Sequence, residues 1–201
     1  MINPIPILLR ILKAPSITLT LDPFYYEVCT KPHPKLKIIP NKEYLVALMD
    51  EYFKDNYEIR KSIRNGNTFG LFKAIDWSSQ MVTINVCNPE RQGKPLPDYM
   101  YKCTEYEDHF GEKLLYGIFK DNKLIAYADV VKYGKVWVIG PFMGHADYLK
   151  EGIMYHLFDF IQRQHYPLMY DTFLGNTEGL TYFKKKLGFK EYNVIWRKEP
   201  K

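Results

Sequence analysis

Two segments decide the fold: His145-Ala-Asp-Tyr-Leu-Lys-Glu-Gly-Ile-Met-Tyr-His-Leu157 and Asp171-Thr-Phe-Leu-Gly-Asn-Thr-Glu-Gly-Leu-Thr-Tyr-Phe-Lys-Lys-Lys-Leu-Gly-Phe189. Each reads as a loop running into a helix. In the first, Ile153, Leu157, Phe160 and Ile161 share one face of a helix expected over 147–162. In the second, a helix is expected over 177–186, with Asn176 as a cap and Gly188 as its stop. The stretches 168–172 and 190–196 read as strands. Upstream, 114–119, 124–131 and 135–139 read as three strands joined by turns at Asp121-Asn122 and Tyr133-Gly134, an antiparallel meander. The order is strand, strand, strand, helix, strand, helix, strand.

The first half is less regular. Six prolines punctuate residues 1–40, with strand-like alternation over 17–21. Tyr44, Leu45, Leu48, Met49, Tyr52 and Phe53 recur at helix spacing, and Asn65-Gly66 marks a turn. Strands are expected over 68–75 and 81–86, then a polar loop over 88–97.

From about 114 to 196, this order and the two opening segments resemble the GNAT acyltransferase superfamily. The resemblance implies an α/β (α+β) fold with a mixed, mostly antiparallel sheet flanked by helices. It implies one domain over 1–201, with 1–40 as a proline-rich extension. In that family the strand before the long helix splays from the next strand. The pantetheine arm of acyl-CoA lies in the gap, and a Q/R-x-x-G-x-G/A loop wraps the pyrophosphate. A helix start offers N–H groups and partial positive charge, and glycine lets the backbone approach oxygen closely.

Here the loop is Leu149-Lys-Glu-Gly-Ile-Met154. Gly152 is retained, Leu149 replaces the Gln/Arg and Met154 the final Gly/Ala. Glu151 adds a negative charge that Lys150 can offset. The resemblance implies donor contacts from Ile139, Phe142, Met143, Lys150, Gly152, Ile153, Met154, Asn176, Phe183 and Lys184.

Acyl transfer to an amine calls for a base, oxyanion donors and an acid for the leaving thiolate. His145 is the base candidate, against the plainer reading of a loop histidine bonded to backbone. Asp129, in an apolar strand, either faces the acceptor or points outward. Asp171 precedes Asn176 and reads as structural. Tyr182 and Lys184 compete for the acid role; packing and solvent exposure are the respective alternatives. His156 reads as structural, and His165 shows no partner spacing. The Phe183-Lys184 pair also resembles Fem-type transferases, which use aminoacyl-tRNA. A third reading is a GNAT-like scaffold without catalysis.

The chain has 201 residues, 46% hydrophobic and 25% charged, with 17 Tyr and 12 Phe. That suits a soluble domain with a sheet-rich core. Net charge is +5, and residues 184–201 carry seven basic and two acidic groups, so 7 − 2 = +5 sits there. No nucleic-acid signature accompanies it, and nucleic acid is expected only as a tRNA donor. Cys29, Cys87 and Cys103 have no metal-ligand spacing, so no metal is expected and the thiols read as reduced and cytoplasmic. No run approaches the roughly 20 apolar residues of a membrane helix. The expected partners are acyl-CoA and an unidentified amine acceptor; oligomeric state is left open.

Overall fold

The computed structural model describes residues 18–21, 25–27, 44–49, 51–54, 56–87, 90–91, 94–95, 113–133, 136–166, 168–172 and 176–196. In chain order its first elements are β1 (Thr18–Leu21), β2 (Tyr25–Glu27), β3 (Tyr44–Met49), α1 (Asn56–Arg64), β4 (Thr68–Leu71) and α2 (Ala74–Val86). A two-rung hairpin, β5 (Glu90–Arg91) and β6 (Lys94–Pro95), precedes β7 (Lys113–Lys120), β8 (Lys123–Tyr133) and β9 (Val136–Gly144). A 3-10 turn (Ala146–Glu151) leads to α3 (Ile153–Gln164), β10 (Leu168–Thr172), α4 (Glu178–Lys186) and β11 (Phe189–Trp196). Packing divides the chain into two compact units.

The first unit holds residues 53–131 and 141–165. Its strands run in the order β9 (its last residues), β8, β7, β4. The β7–β8 hairpin turns at Asp121 (φ 48) and Asn122 (φ 58). Two consecutive positive φ values match the hairpin twist, and Asp and Asn tolerate them best among non-glycine residues. Eight rungs follow, from Lys120↔Lys123 to Lys113↔Val131. Ile84, Leu124, Tyr127 and Met143 form a core cluster, packed by Phe72, Trp77, Met81 and Phe119.

Helix α2 corrects the strand expected over 81–86 and shortens the one expected over 68–75. Trp77, Met81 and Ile84 recur at i, i+4 and i+7, and this helical stripe meets β8. The helix is tied there by Leu124 N–H to Gln80 Oε1 at 2.6 Å and Tyr127 O–H to Asn85 Oδ1 at 2.7 Å. Each leaves one fewer buried polar group unsatisfied.

The second unit holds residues 2–52, 132–140 and 166–201. Its strand order is β2-β1-β11-β3-β10-β9. The described pairings are antiparallel except β10 with β9. Strand β3 replaces the helix expected from Tyr44. It pairs with β11 on one side, from Phe189↔Met49 to Val194↔Tyr44, and with β10 on the other. A short apolar run satisfies both periodicities, and two flanking ladders decide for strand. Met49, Val138, Leu168, Met169, Tyr170, Leu187 and Phe189 are buried in this unit. Helix α4 is capped by Thr177, whose hydroxyl accepts from Leu180 N–H at 3.4 Å, rather than by Asn176. Gly188 stops it at φ 90, where a Cβ would run into the Glu51 carbonyl oxygen.

Candidate functional site

In the first unit, the segment 145–154 is not the start of one long helix. His145 caps the 3-10 turn, its Nδ1 accepting the Asp147 N–H at 3.3 Å. Its own N–H donates to Ile125 O at 2.8 Å, and its ring meets Tyr148 edge-on. The turn ends at Gly152 in the left-handed region, φ 79, and α3 begins there. A Cβ on Gly152 would run into the Glu58 carbonyl oxygen of α1 and lie 3.0 Å from Glu58 Oε2. Gly152 is thus required twice, by its φ and by close passage of α1. Gly144 plays a similar part below the turn: a Cβ there would sit 2.6 Å from Met154 Sδ and 2.8 Å from Leu149 Cδ2.

The first N–H groups of α3, from Ile153 onward, lack intrahelical acceptors, as at any helix start. Gly152 supplies no side-chain cap, and the first turn holds no acidic residue. The segment therefore presents backbone donors and the positive end of a twelve-residue helix.

Glu151 is held from beneath. Lys120 Nζ donates to both carboxylate oxygens, at 2.9 and 3.0 Å, and Asn67 Nδ2 to Oε2 at 2.9 Å. Burial pushes the Glu151 carboxyl up, but the Lys120 and Asn67 hydrogen bonds outweigh it and leave it below its ordinary range. The same pair raises Lys120, whose ammonium also lies 5.4 Å from the Tyr148 ring centre. The offset to Glu151 thus comes from Lys120, while Lys150 is exposed. Asn67 Nδ2 also donates to Ser62 Oγ at 3.2 Å, and Ser62 Oγ meets His156 Nδ1 at 3.0 Å. One polar chain so links β7, the turn after α1, α1 itself and α3. Sequence reasoning missed Gly144, which adjoins the loop, and Asn67, Lys120 and Glu58, which only the folded chain brings to it.

Of the other candidates in this unit, Phe142, Met143 and Ile153 are buried, Met143 within the core cluster. Asp129 is buried at 6% exposure and paired to Lys113 at 3.0 Å, so it does not point outward. His165 does have a partner: Tyr116 Oη lies 2.7 Å from its Nε2.

In the second unit, β10 and β9 pair in parallel, among the described residues, through two rungs, Leu168↔Trp137 and Met169↔Val138. Both strands continue, β9 through Ile139 and Gly140 and β10 to Thr172. Ile139 is buried where pairing has ended. On α4, Phe183 is half-buried and Tyr182 is 68% exposed. Lys184, expected in solvent or on a phosphate, is fully buried with Nζ 4.6 Å from the Tyr170 ring centre. The Asp171 side chain lies outside the described residues. Among the described residues no cluster of three His, Cys, Asp or Glu is placed to hold a metal, and no helix is long and apolar enough to cross a membrane.

Comparison with known proteins agrees with this architecture. No protein-family model matches the chain, and no curated protein does. Among solved structures, L-PGS from Bacillus licheniformis aligns at TM-score 0.50 and 13% identity, over 80% of this chain and 62% of that one. A functionally unknown conserved protein from Staphylococcus epidermidis aligns at 0.50 and 12%, over 76% and 60%. The PaiA N-acetyltransferase from Thermoplasma acidophilum, solved in complex with coenzyme A, aligns at 0.45 and 13%, over 64% and 96%. This chain thus spans about three fifths of the length of the first two. The two structures at 0.50 share the fold seen here, a mixed, mostly antiparallel sheet with helices.

Proposed function

We propose that the chain transfers an acyl group from a thioester donor, acetyl-CoA or another acyl-CoA, to an amine of a small molecule, sugar or peptide. The observation that carries this reading is the parting of β9 and β10 after Met169↔Val138 while both strands run on. Parting ends the mutual ladder, and backbone amides beyond that point suit an extended amide chain such as pantetheine. The uncapped start of α3 supports the reading separately.

Direct attack forms the C–N bond at the thioester carbonyl and breaks the C–S bond. The amine proton goes to solvent or a base, and the thiolate takes one up. A thiolate is a good leaving group, with thiol pKa about 8.5. Holding the two reactants in line then supplies much of the acceleration. That suits a chain whose candidate acid–base groups have other tasks: His145 caps a turn, and Asp129 pairs with Lys113. The aminoacyl-tRNA alternative loses a phosphate ligand in Lys184, which is buried over Tyr170. The absence of metal-ligand spacing and of long apolar runs in the sequence suits a cytoplasmic enzyme without a metal.

Isothermal titration with acetyl-CoA and with CoA tests the reading. Micromolar affinity for either is expected, about −8 kcal/mol, followed by turnover in an amine screen. No binding at millimolar ligand overturns it and leaves the scaffold reading.

A further inference from the structure

The polar chain beneath the turn admits one placement of its protons. Its members, Ser62, Asn67, Lys120, Glu151 and His156, all lie in the first unit. The Glu151 carboxylate is ionised and can only accept, so the Asn67 atom 2.9 Å from it is the amide nitrogen. That nitrogen also donates to Ser62 Oγ at 3.2 Å. The Ser62 hydroxyl proton then has one acceptor among the described residues, His156 Nδ1 at 3.0 Å. Neutral His156 therefore carries its own proton on Nε2. One atom is left over: Asn67 Oδ1 is buried and has no hydrogen-bond partner among the described residues. Ser62 and Asn67 are buried, whereas His156 is half-buried and within reach of a proton from solvent.

A proton on His156 Nδ1 reverses the chain. Nδ1–H then donates to Ser62 Oγ, and the Ser62 O–H loses its acceptor. A buried donor without an acceptor is costly. The spare acceptor is Asn67 Oδ1. Turning the Asn67 amide over brings Oδ1 to Ser62 and takes Nδ2 away from Glu151. An amide oxygen repels a carboxylate, so Glu151 keeps only its two bonds from Lys120. We propose that this chain is a two-state relay: a proton taken up by His156 turns over Asn67, frees Glu151 from it, and makes the 3-10 turn Ala146–Glu151 acid-sensitive. Several charges surround His156. Asp159, bonded to Arg163, lies on α3. Glu58 and Lys61 come from α1, Glu151 from the turn and Lys120 from β7. Asp159 favours the imidazolium, but burial opposes it and prevails, so the relay changes state below the ordinary 6.5. Glu151 takes up its own proton below 4.5.

The test is an NMR titration of the full chain from about pH 7.5 to about pH 5, following the His156 ring nitrogens, the Asn67 side-chain amide and the Glu151 carboxyl. At the upper end the His156 proton should sit on Nε2. On acidification the Asn67 and Glu151 signals should shift with the His156 midpoint, ahead of the protonation of Glu151 itself. In Ser62→Ala, checked by circular dichroism for its fold, the hydroxyl that favours the neutral ring is gone. The His156 midpoint should then rise, and Asn67 and Glu151 should no longer follow it. That variant keeps the imidazolium charge and breaks only the chain, so it separates the relay from a plain field effect. A neutral His156 protonated on Nδ1, Asn67 and Glu151 signals that stay still through the His156 transition, or signals that follow it equally in Ser62→Ala, each overturn the relay. Should Ser62→Ala not fold, the wild-type tautomer and the Asn67 titration decide alone.

Discussion

Gly152 shows how one residue answers to two demands. Its match to the family loop suggests a donor contact, yet its φ of 79 and the α1 carbonyl oxygen packed against it require glycine whatever the loop binds. Gly152→Ala should therefore cost about 1–3 kcal/mol of stability, read as a lower thermal midpoint without any ligand. An unchanged midpoint would mean that α1 yields easily. His156 sets a pH dependence. Burial lowers its pKa below the ordinary 6.5, with Asp159 partly opposing. The unfolded chain then takes up the proton first, so acidification through the interval from 6.5 down to the depressed value removes stability. Glu151 acts lower: its depressed carboxyl contributes stability present above 4.5 and lost as pH falls further. Urea midpoints at pH 7.5 and 5.5 should fall in the wild type and fall less in His156→Gln. Equal slopes would remove His156 from the account.

At the scale of elements, legibility followed the strength of local signals. The β7–β8 hairpin was readable because Asp121-Asn122 is one of few pairs that accept two positive φ values. The stop of α4 was readable because Gly188 alone there takes φ 90. Strand β3 was not, since Tyr44–Met49 fits helix and strand periods alike and its identity comes from β10 and β11, distant in sequence. Helix α2 was misread for the converse reason: the Met81-Val-Thr-Ile run favours strand locally, and only the Trp77, Met81, Ile84 stripe against β8 makes it helical. The long helix was placed but not its break, because Gly152 interrupts it for the sake of α1. The candidate site suffered most. Loop residues 145–154 were visible as a motif, but the partners that fix their charge, Lys120 and Asn67, come from β7 and from the turn after α1. No spacing rule joins residues 31 and 84 positions apart.

For the whole molecule, charge bears on the proposed donor, a thioester rather than a tRNA. The net +5 equals the charge of residues 184–201, so the remaining residues are about neutral. One of those tail cations, Lys184, is buried over Tyr170 and does not face a polyanion. Nucleic-acid affinity scales with the number of phosphates neutralised, each adding about −0.9 to the slope of log affinity against log salt on a duplex. A short cluster of tail cations offers few contacts, and clustered basic charge without an aromatic-lined groove gives weak, strongly salt-dependent binding. Fluorescence anisotropy with bulk tRNA at 150 mM salt, a concentration near physiological ionic strength, should give a dissociation constant in the range of about 10 µM or weaker. Removing residues 197–201 should weaken whatever binding is seen at low salt. A submicromolar complex at that salt, released by uncharged tRNA more slowly than by aminoacyl-tRNA, would reverse the choice of donor. It would also require a cationic surface outside residues 184–201, drawn from residues whose net charge is about zero.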